Sequence, residues 1–433
     1  MASTIRLSLP RPKLSANLGG KRFHRPLHDG VVFVLICGLF ASSIIAKADQ
    51  SGEEQTPLPG AIGREVTADL VNLIFLVDRV GSKPPKVITR DYLDRVAQPS
   101  SLLYRDYVAY REGKIDRAAL ANRLPHVAML GDSLTQHFYF SSLPSSFWRA
   151  RTVWRNNWFI DTDPKPESVL SLYERLELVT PLVAEEHNGA GAEVVSERKQ
   201  ESLRLRLIRA RNFPGQGREV LHQARFPDLI MIWIGHNNLD WVHGLSNEER
   251  KHPERKLAEI AGRFRRNYAE TLRPLINRAK TEHHKVAIVV FGLANIDAYL
   301  KARHQVITVK ASNPDLYPHF DSGERTFESL KPPYEQNMAR LAVMLNREMQ
   351  SLVAELNGEL RGFPSVRLEY SDELSKVDFS RLELINRIDA WHFSIKGHTT
   401  VAEAAWKAIG PSLRFLGINP TRQTRPSAVV TSR

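Results

Sequence analysis

The chain has one cysteine, Cys37, in 433 residues. That scarcity excludes a disulfide framework and a thiolate metal site, and it excludes a cysteine nucleophile if the segment around Cys37 is removed. Long apolar runs are scarce too. The most apolar stretch, Val31 to Ile45, is too short to cross a bilayer comfortably. There is no internal repeat, no heptad array and no Gly-rich phosphate loop, so solenoids, coiled coils and P-loop chemistry drop out. The pair His283-His284 beside Lys285 reads as a surface turn rather than a metal site. What is present is ordinary for a globular chain: 42% hydrophobic and 25% charged residues, enough to bury a sizeable core.

A basic leader (Arg6, Arg11, Lys13, Lys21, Arg22, Arg25) precedes the apolar run, which ends at Ala46-Lys47-Ala48. This order reads as a secretory signal removed before Asp49, with an uncleaved N-terminal anchor as the alternative because the leader is long. Ile36 before Cys37 argues against a lipoprotein. The formal net charge of +12 stays positive without the leader. In an exported protein it suits an anionic envelope surface or acidic polymer better than nucleic acid, and plain solubility is an equal reading.

The organisation expected is a leader or anchor over 1–48, a linker and helical extension over 49–120, a main domain over 121–416 and a flexible tail over 417–433. A helix is predicted over Thr67 to Arg95. Strands are predicted at 126–131, about 180–185, 228–235, 285–293 and 365–370, and helices at 257–280, 333–356 and 399–413. Two insertions are expected, near 193–225 and 298–332. In the first, Leu203 to Arg209 alternates apolar and basic residues; it is either a solvated edge or a basic flap near the Gly191 loop, facing anionic head groups. The second holds Pro314, Pro318 and Pro332 and reads as a long irregular loop overhanging a site.

Three segments carry chemistry. His126 to Leu130 is apolar and runs into Gly131-Asp132-Ser133-Leu134, so a buried strand would end in a turn presenting a hydroxyl. Pro227 to Ile234 repeats the pattern into Gly235-His236-Asn237-Asn238. Asp389-Ala390-Trp391-His392 sets a carboxylate three residues before an imidazole, the spacing at which the acid can orient a base. Taken singly, each has a plain structural reading as turn or cap chemistry. His236 and His243 straddle the Asn237 turn and are expected to line the pocket, whereas His398 is expected to shape its own turn.

Together these segments resemble the SGNH, or GDSL, hydrolase superfamily over about residues 124–412. Asp389 to His398 is similar to the D-x-x-H-F-S-x-x-G-H form of phospholipase-B-like members. The resemblance implies an α/β fold, a three-layer α/β/α arrangement with a mostly parallel central sheet, here with insertions and an N-terminal helical extension. It implies Ser133 as nucleophile, His392 as base and then acid, and Asp389 as its orienting group. It further implies an oxyanion hole of the Ser133 and Gly191 backbone N–H groups and the Asn237 side chain. One departure is Asn238, where the family carries Asp; an amide still accepts hydrogen bonds but brings no charge.

No metal or other cofactor is required by that chemistry. The expected activity is hydrolysis of carboxylic esters, with a lipid or phospholipid acyl ester slightly favoured over O-acetyl groups of an envelope or extracellular polysaccharide. A non-catalytic binding protein, or an acyl-transfer protein, is the reading from another class. Contact with a membrane surface fits the lipid reading, and oligomeric state leaves no trace in the sequence.

Overall fold

The computed structural model describes residues 109, 112–116, 119–120, 122–135, 157–160, 169–177, 179–180, 182–202, 205, 211–313, 333–386 and 390–420. The expected leader, linker, N-terminal helix and most of the tail lie outside the described residues, as does Asp389.

Five strands form one parallel sheet: β1 (His126–Gly131), β2 (Val183–Glu186), β3 (Leu229–Trp233), β4 (Val286–Phe291) and β5 (Val366–Ser371), in the order β2-β1-β3-β4-β5. β1, β3 and β4 are buried along their whole length. This is why they read as unbroken apolar runs: helices cover both faces of a parallel sheet, so neither face selects polar residues. β5 alternates buried and half-buried positions and shows Arg367 and Glu369 outward, paired at 3.0 Å. Charges on an edge strand discourage pairing with another chain.

Seven helices are named here: α1 (Leu172–Glu177), α2 (Phe213–Leu221), α3 (Asn247–Lys251), α4 (Glu254–Thr281), α5 (Ile296–Ser312), α6 (Tyr334–Glu359) and α7 (Ile395–Phe415). α4 buries a stripe that includes Leu257, Ile260, Ala261, Phe264, Tyr268 and Leu272, the 3.6-residue period of a helix with one face inward. That stripe packs against α2 and α6, and α7 packs against α1, β4 and β5. Strand order explains the two layers: the chain steps from β1 to β2 in one direction and from β2 past β1 to β3 and β4 in the other, so right-handed crossovers put α1 and α4 on opposite faces.

The predicted strands and the three long predicted helices are all present, with ends shifted by a few residues. The segment 298–332 needs correction. Its first part is not an irregular loop but the body of α5, capped by Asn295, whose side chain accepts from Ala298 N–H. Ile296, Tyr299, Leu300, Arg303 and Val306 fall on one buried face, and the prolines that suggested irregularity all come after the helix ends.

Candidate functional site

The turns carrying Ser133, Gly191 and Asn237 leave neighbouring parallel strands at the same end of the sheet. Ser133 follows β1, Gly191 follows β2 and Asn237 opens the 3-10 segment His236–Gly244 after β3. β1 stands between β2 and β3, so its turn lies at the point where strand order reverses, where open α/β sheets form their crevice. Gly235, just before the 3-10 segment, has φ of 126° and Gly191 has φ of 75°; both values lie in the region that favours glycine.

Asp132 ties these turns. It is fully buried, while the adjacent Ser133 is 8% exposed. One carboxylate oxygen accepts from Leu134 N–H at 3.0 Å. The other accepts from the His236 ring at Nδ1, 2.9 Å away, and from His236 N–H at 3.3 Å. The opposite ring nitrogen, Nε2, accepts from Ala294 N–H at 3.2 Å. An imidazole that accepts at Nε2 carries its proton on Nδ1, so these bonds assign a neutral tautomer. His236 is 3% exposed and stands edge-on to Trp233 at 5.1 Å. It therefore braces the floor of the site rather than lining an open pocket, and His243 packs on Tyr334 at 5.1 Å.

Further bonds stitch the β2 turn to the others. Asn188 donates to the Thr135 carbonyl at 2.9 Å, and the Asn237 amide donates to the Ala192 carbonyl at 2.9 Å. Asn238 meets both groups of one residue: its Oδ1 accepts from Val194 N–H at 2.9 Å and its Nδ2 donates to the Val194 carbonyl at 3.0 Å. An amide supplies both roles where the ionised carboxylate of Asp could only accept, which accounts physically for Asn at this position. Gln216 on α2 treats Gly131 the same way, with 2.8 Å bonds to its N–H and carbonyl.

The C-terminal block approaches through aromatic packing. Ala390 is fully buried with φ of 53°, an uncommon conformation for a side chain that is not glycine. It is held by an antiparallel bridge between Ile385 and Phe393 and by Asn386 N–H donating to the His392 carbonyl at 2.8 Å. Phe393 stacks on Trp233 with ring centres 6.0 Å apart. Trp158 links this block to the Ser133 turn. Its indole N–H donates to the Leu134 carbonyl at 2.9 Å and its backbone N–H donates to Nδ1 of His398 at 3.2 Å. Burial, with a smaller contribution from nearby His392, holds His398 down to about 3, so the ring is neutral and shapes the start of α7.

The family model for GDSL-like Lipase/Acylhydrolase matches residues 127–405, a span that contains every turn just described. The chain belongs to that family. This GDSL hydrolase acts on ester bonds, and its parallel α/β sheet is the fold of the superfamily. No curated protein matches it. Among solved structures it is similar to the lipase Lip_vut3 from goat rumen metagenome, at 16% identity and a TM-score of 0.33, covering 66% of this chain and 97% of that one. A second crystal structure is similar at 12% identity and a TM-score of 0.38, covering 67% of this chain and 99% of the other.

Of the residues predicted for the GDSL hydrolase site, Ser133, Gly191 and Asn237 sit on turns joined by hydrogen bonds. His392 begins the block anchored through Trp158 and Trp233, and Asp389 lies outside the described residues. Sequence reading missed Asp132, Asn188, Gln216 and Trp158. Asp132 and His236 stood inside the motifs, and their pairing needed only the knowledge that β1 and β3 are neighbours. Trp158 carries no local signal at all. From the basic stretch, Leu205 is buried and a side chain on Gly191 would touch it at 3.8 Å; Arg204, Arg206 and Arg209 lie outside the described residues.

Proposed function

We propose that this GDSL hydrolase is an exported serine esterase that works through an acyl-enzyme, with Ser133, His392 and Asp389 as its triad. The Ser133 hydroxyl attacks the ester carbonyl as His392 takes its proton, and the alcohol leaves with that proton. A water molecule, activated by His392, then attacks the acyl-serine and releases the acid. Negative charge on the former carbonyl oxygen meets the N–H groups of Ser133 and Gly191 and the Asn237 amide. Asp389 orients the imidazole.

The observation that carries this reading is the convergence of three turns on adjacent strand ends, cross-linked through Asp132, Asn188 and Asn237. An acyl ester of lipid type is favoured by a groove of about 790 Å³ at the carboxyl end of β4, which Leu257, Ile296, Ala342, Val343 and Met344 line together with the charged Glu254, Asp297, Arg340 and Arg347. None of Ser133, Asn237 and His392 lines it. Ala294 borders the groove and its N–H donates to the buried His236 ring beneath the Asn237 turn. A sugar-stacking surface is less well supported, because Trp241 is covered by the Arg263 guanidinium at 4.1 Å.

The test is a fluorophosphonate probe on the full chain, with the adduct located by peptide mass, beside Ser133→Ala, His392→Ala and Asn237→Ala. The expected result is labelling at Ser133 that disappears in the first two variants. Asn237→Ala should lower kcat by about 10²–10³ on an ester panel of graded chain length. A folded wild-type protein that is neither labelled nor active would overturn the triad and favour a binding role.

A further inference from the structure

We infer that His236 is a positioning residue, and that the buried Asp132–His236 pair sets the distance between the nucleophile and the amide donor of the oxyanion hole. This rests on the roles proposed above for Ser133 and Asn237.

Each member of the pair is the chain neighbour of one of those groups: Asp132 precedes Ser133, and His236 precedes Asn237. A bond of 2.9 Å between the two side chains therefore fixes two turns that no strand ladder reaches, since the β1–β3 register ends at Gly131 and Trp233. The same carboxylate closes both turns locally, accepting from Leu134 N–H and His236 N–H. The imidazole is fixed from its far side by Ala294 N–H, the residue that follows Leu293, and Leu293 N–H is itself held by Asn346 of α6 at 2.7 Å. Three successive strand ends, β1, β3 and β4, thus bear on one buried ring.

Position matters here because a preorganised oxyanion donor acts only when its hydrogen points at the oxygen of the transition state, and a shift of about 1 Å can cost 10²-fold in rate. Neither Asp132 nor His236 needs to touch substrate, since both are buried. Their effect passes through the backbone into Ser133 and Asn237. A displaced Asn237 loses transition-state stabilisation without losing ground-state binding, so the signature is a fall in kcat at nearly constant KM.

The test is a double-mutant cycle on the full chain with a soluble aryl ester. His236→Phe removes both ring hydrogen bonds and is expected to lower kcat by about 10–100-fold with KM changed less than about threefold. In an Asn237→Ala background the same change should have an effect of less than about threefold, because the donor it positions is gone. His236→Gln, which keeps one donor and one acceptor on an amide, should restore most of the activity lost in His236→Phe.

A merely structural role would lower kcat by the same factor in both backgrounds, and that result would overturn the inference. So would an unchanged kcat in folded His236→Phe. If His236→Phe does not fold, as judged by circular dichroism, the comparison is made with Asp132→Asn against Asn237→Ala under the same criteria. Loss of activity in Ser133→Ala, with no coupling between positions 236 and 237, would defeat the positioning role alone. Full activity in Ser133→Ala would defeat the proposed mechanism itself.

Discussion

Two polar networks in this protein use similar chemical groups in opposite surroundings. Under the strand turns, Asp132 and His236 pair in full burial, and the bonds at the two nitrogens of the His236 ring join one strand end to another. Along the outer side of α4 and α6, Arg265 reaches Glu348 at 3.3 Å and Glu355 at 2.6 Å, and Arg273 reaches Glu355 at 2.6 Å and Glu359 at 2.7 Å. Three of these four contacts are shorter than any bond of the buried pair, yet the side chains of the ladder are between about a quarter and a half exposed. Water solvates these charges in the unfolded chain nearly as well, so each exposed pair contributes roughly 0.2–1 kcal/mol. The buried pair has no such alternative: once formed, losing one partner strands the other away from water. Burial, rather than the length of the contacts, sets how much each network is worth.

The sharpest way to break this contrast is Asp132→Ala, which strands the His236 Nδ1–H and the Leu134 N–H in the core. With about 1–3 kcal/mol for each stranded donor, it is expected to cost about 2–6 kcal/mol in urea unfolding, with esterase activity lost even where the protein stays folded. A cost below about 1 kcal/mol would place the pair with the surface ladder.

His398 supplies a pH-dependent member of the same buried class. Its pKa in the folded chain is about 3 against an ordinary 6.5, so between those values the unfolded chain binds a proton that the folded one refuses. Stability from this group is full above about pH 6.5 and falls as pH drops toward 3, by about 2 kcal/mol at pH 5. His398→Gln keeps an acceptor for Trp158 N–H and should flatten that part of the stability profile. An identical acid limb in the variant would assign the titration elsewhere.

Asn238→Asp, which installs the residue usual in the family, is expected to destabilise this chain by about 1–3 kcal/mol. A carboxylate oxygen would then face the Val194 carbonyl where the amide now donates at 3.0 Å. Thermal unfolding at neutral pH reads the effect, and a rise in Tm would show that Val194 can turn to suit a carboxylate. The smallest change is expected from Glu355→Gln, which touches two exposed ion pairs and should shift stability by less than about 1 kcal/mol, and by less still in high salt.

Much of the fold was legible in the chain. β1, β3 and β4 announce themselves because a strand buried on both faces must be apolar throughout, and α4 and α6 because one face of a long helix must be. The helix Ile296–Ser312 was misread for a local reason: three prolines beyond its end coloured the whole segment, although the spacing of Ile296, Tyr299, Leu300, Arg303 and Val306 is helical. The turns carrying Ser133 and Asn237 were also visible, since an apolar run that stops at glycine before polar residues is a strand end.

Partnership between those turns was not visible. Asp132 and His236 are 104 residues apart in sequence and 2.9 Å apart in space, and only the order β2-β1-β3 brings them face to face. Trp158 is the extreme case. Its bonds to Leu134 and His398 span 24 and 240 residues, and nothing around it in the chain marks it out. Local sequence sets which residues can bury a face or end a strand, because those are properties of a few neighbouring side chains. Which buried donor meets which buried acceptor is settled by strand order and crossover hand, because a polar group removed from water takes whatever partner the packed sheet brings within reach.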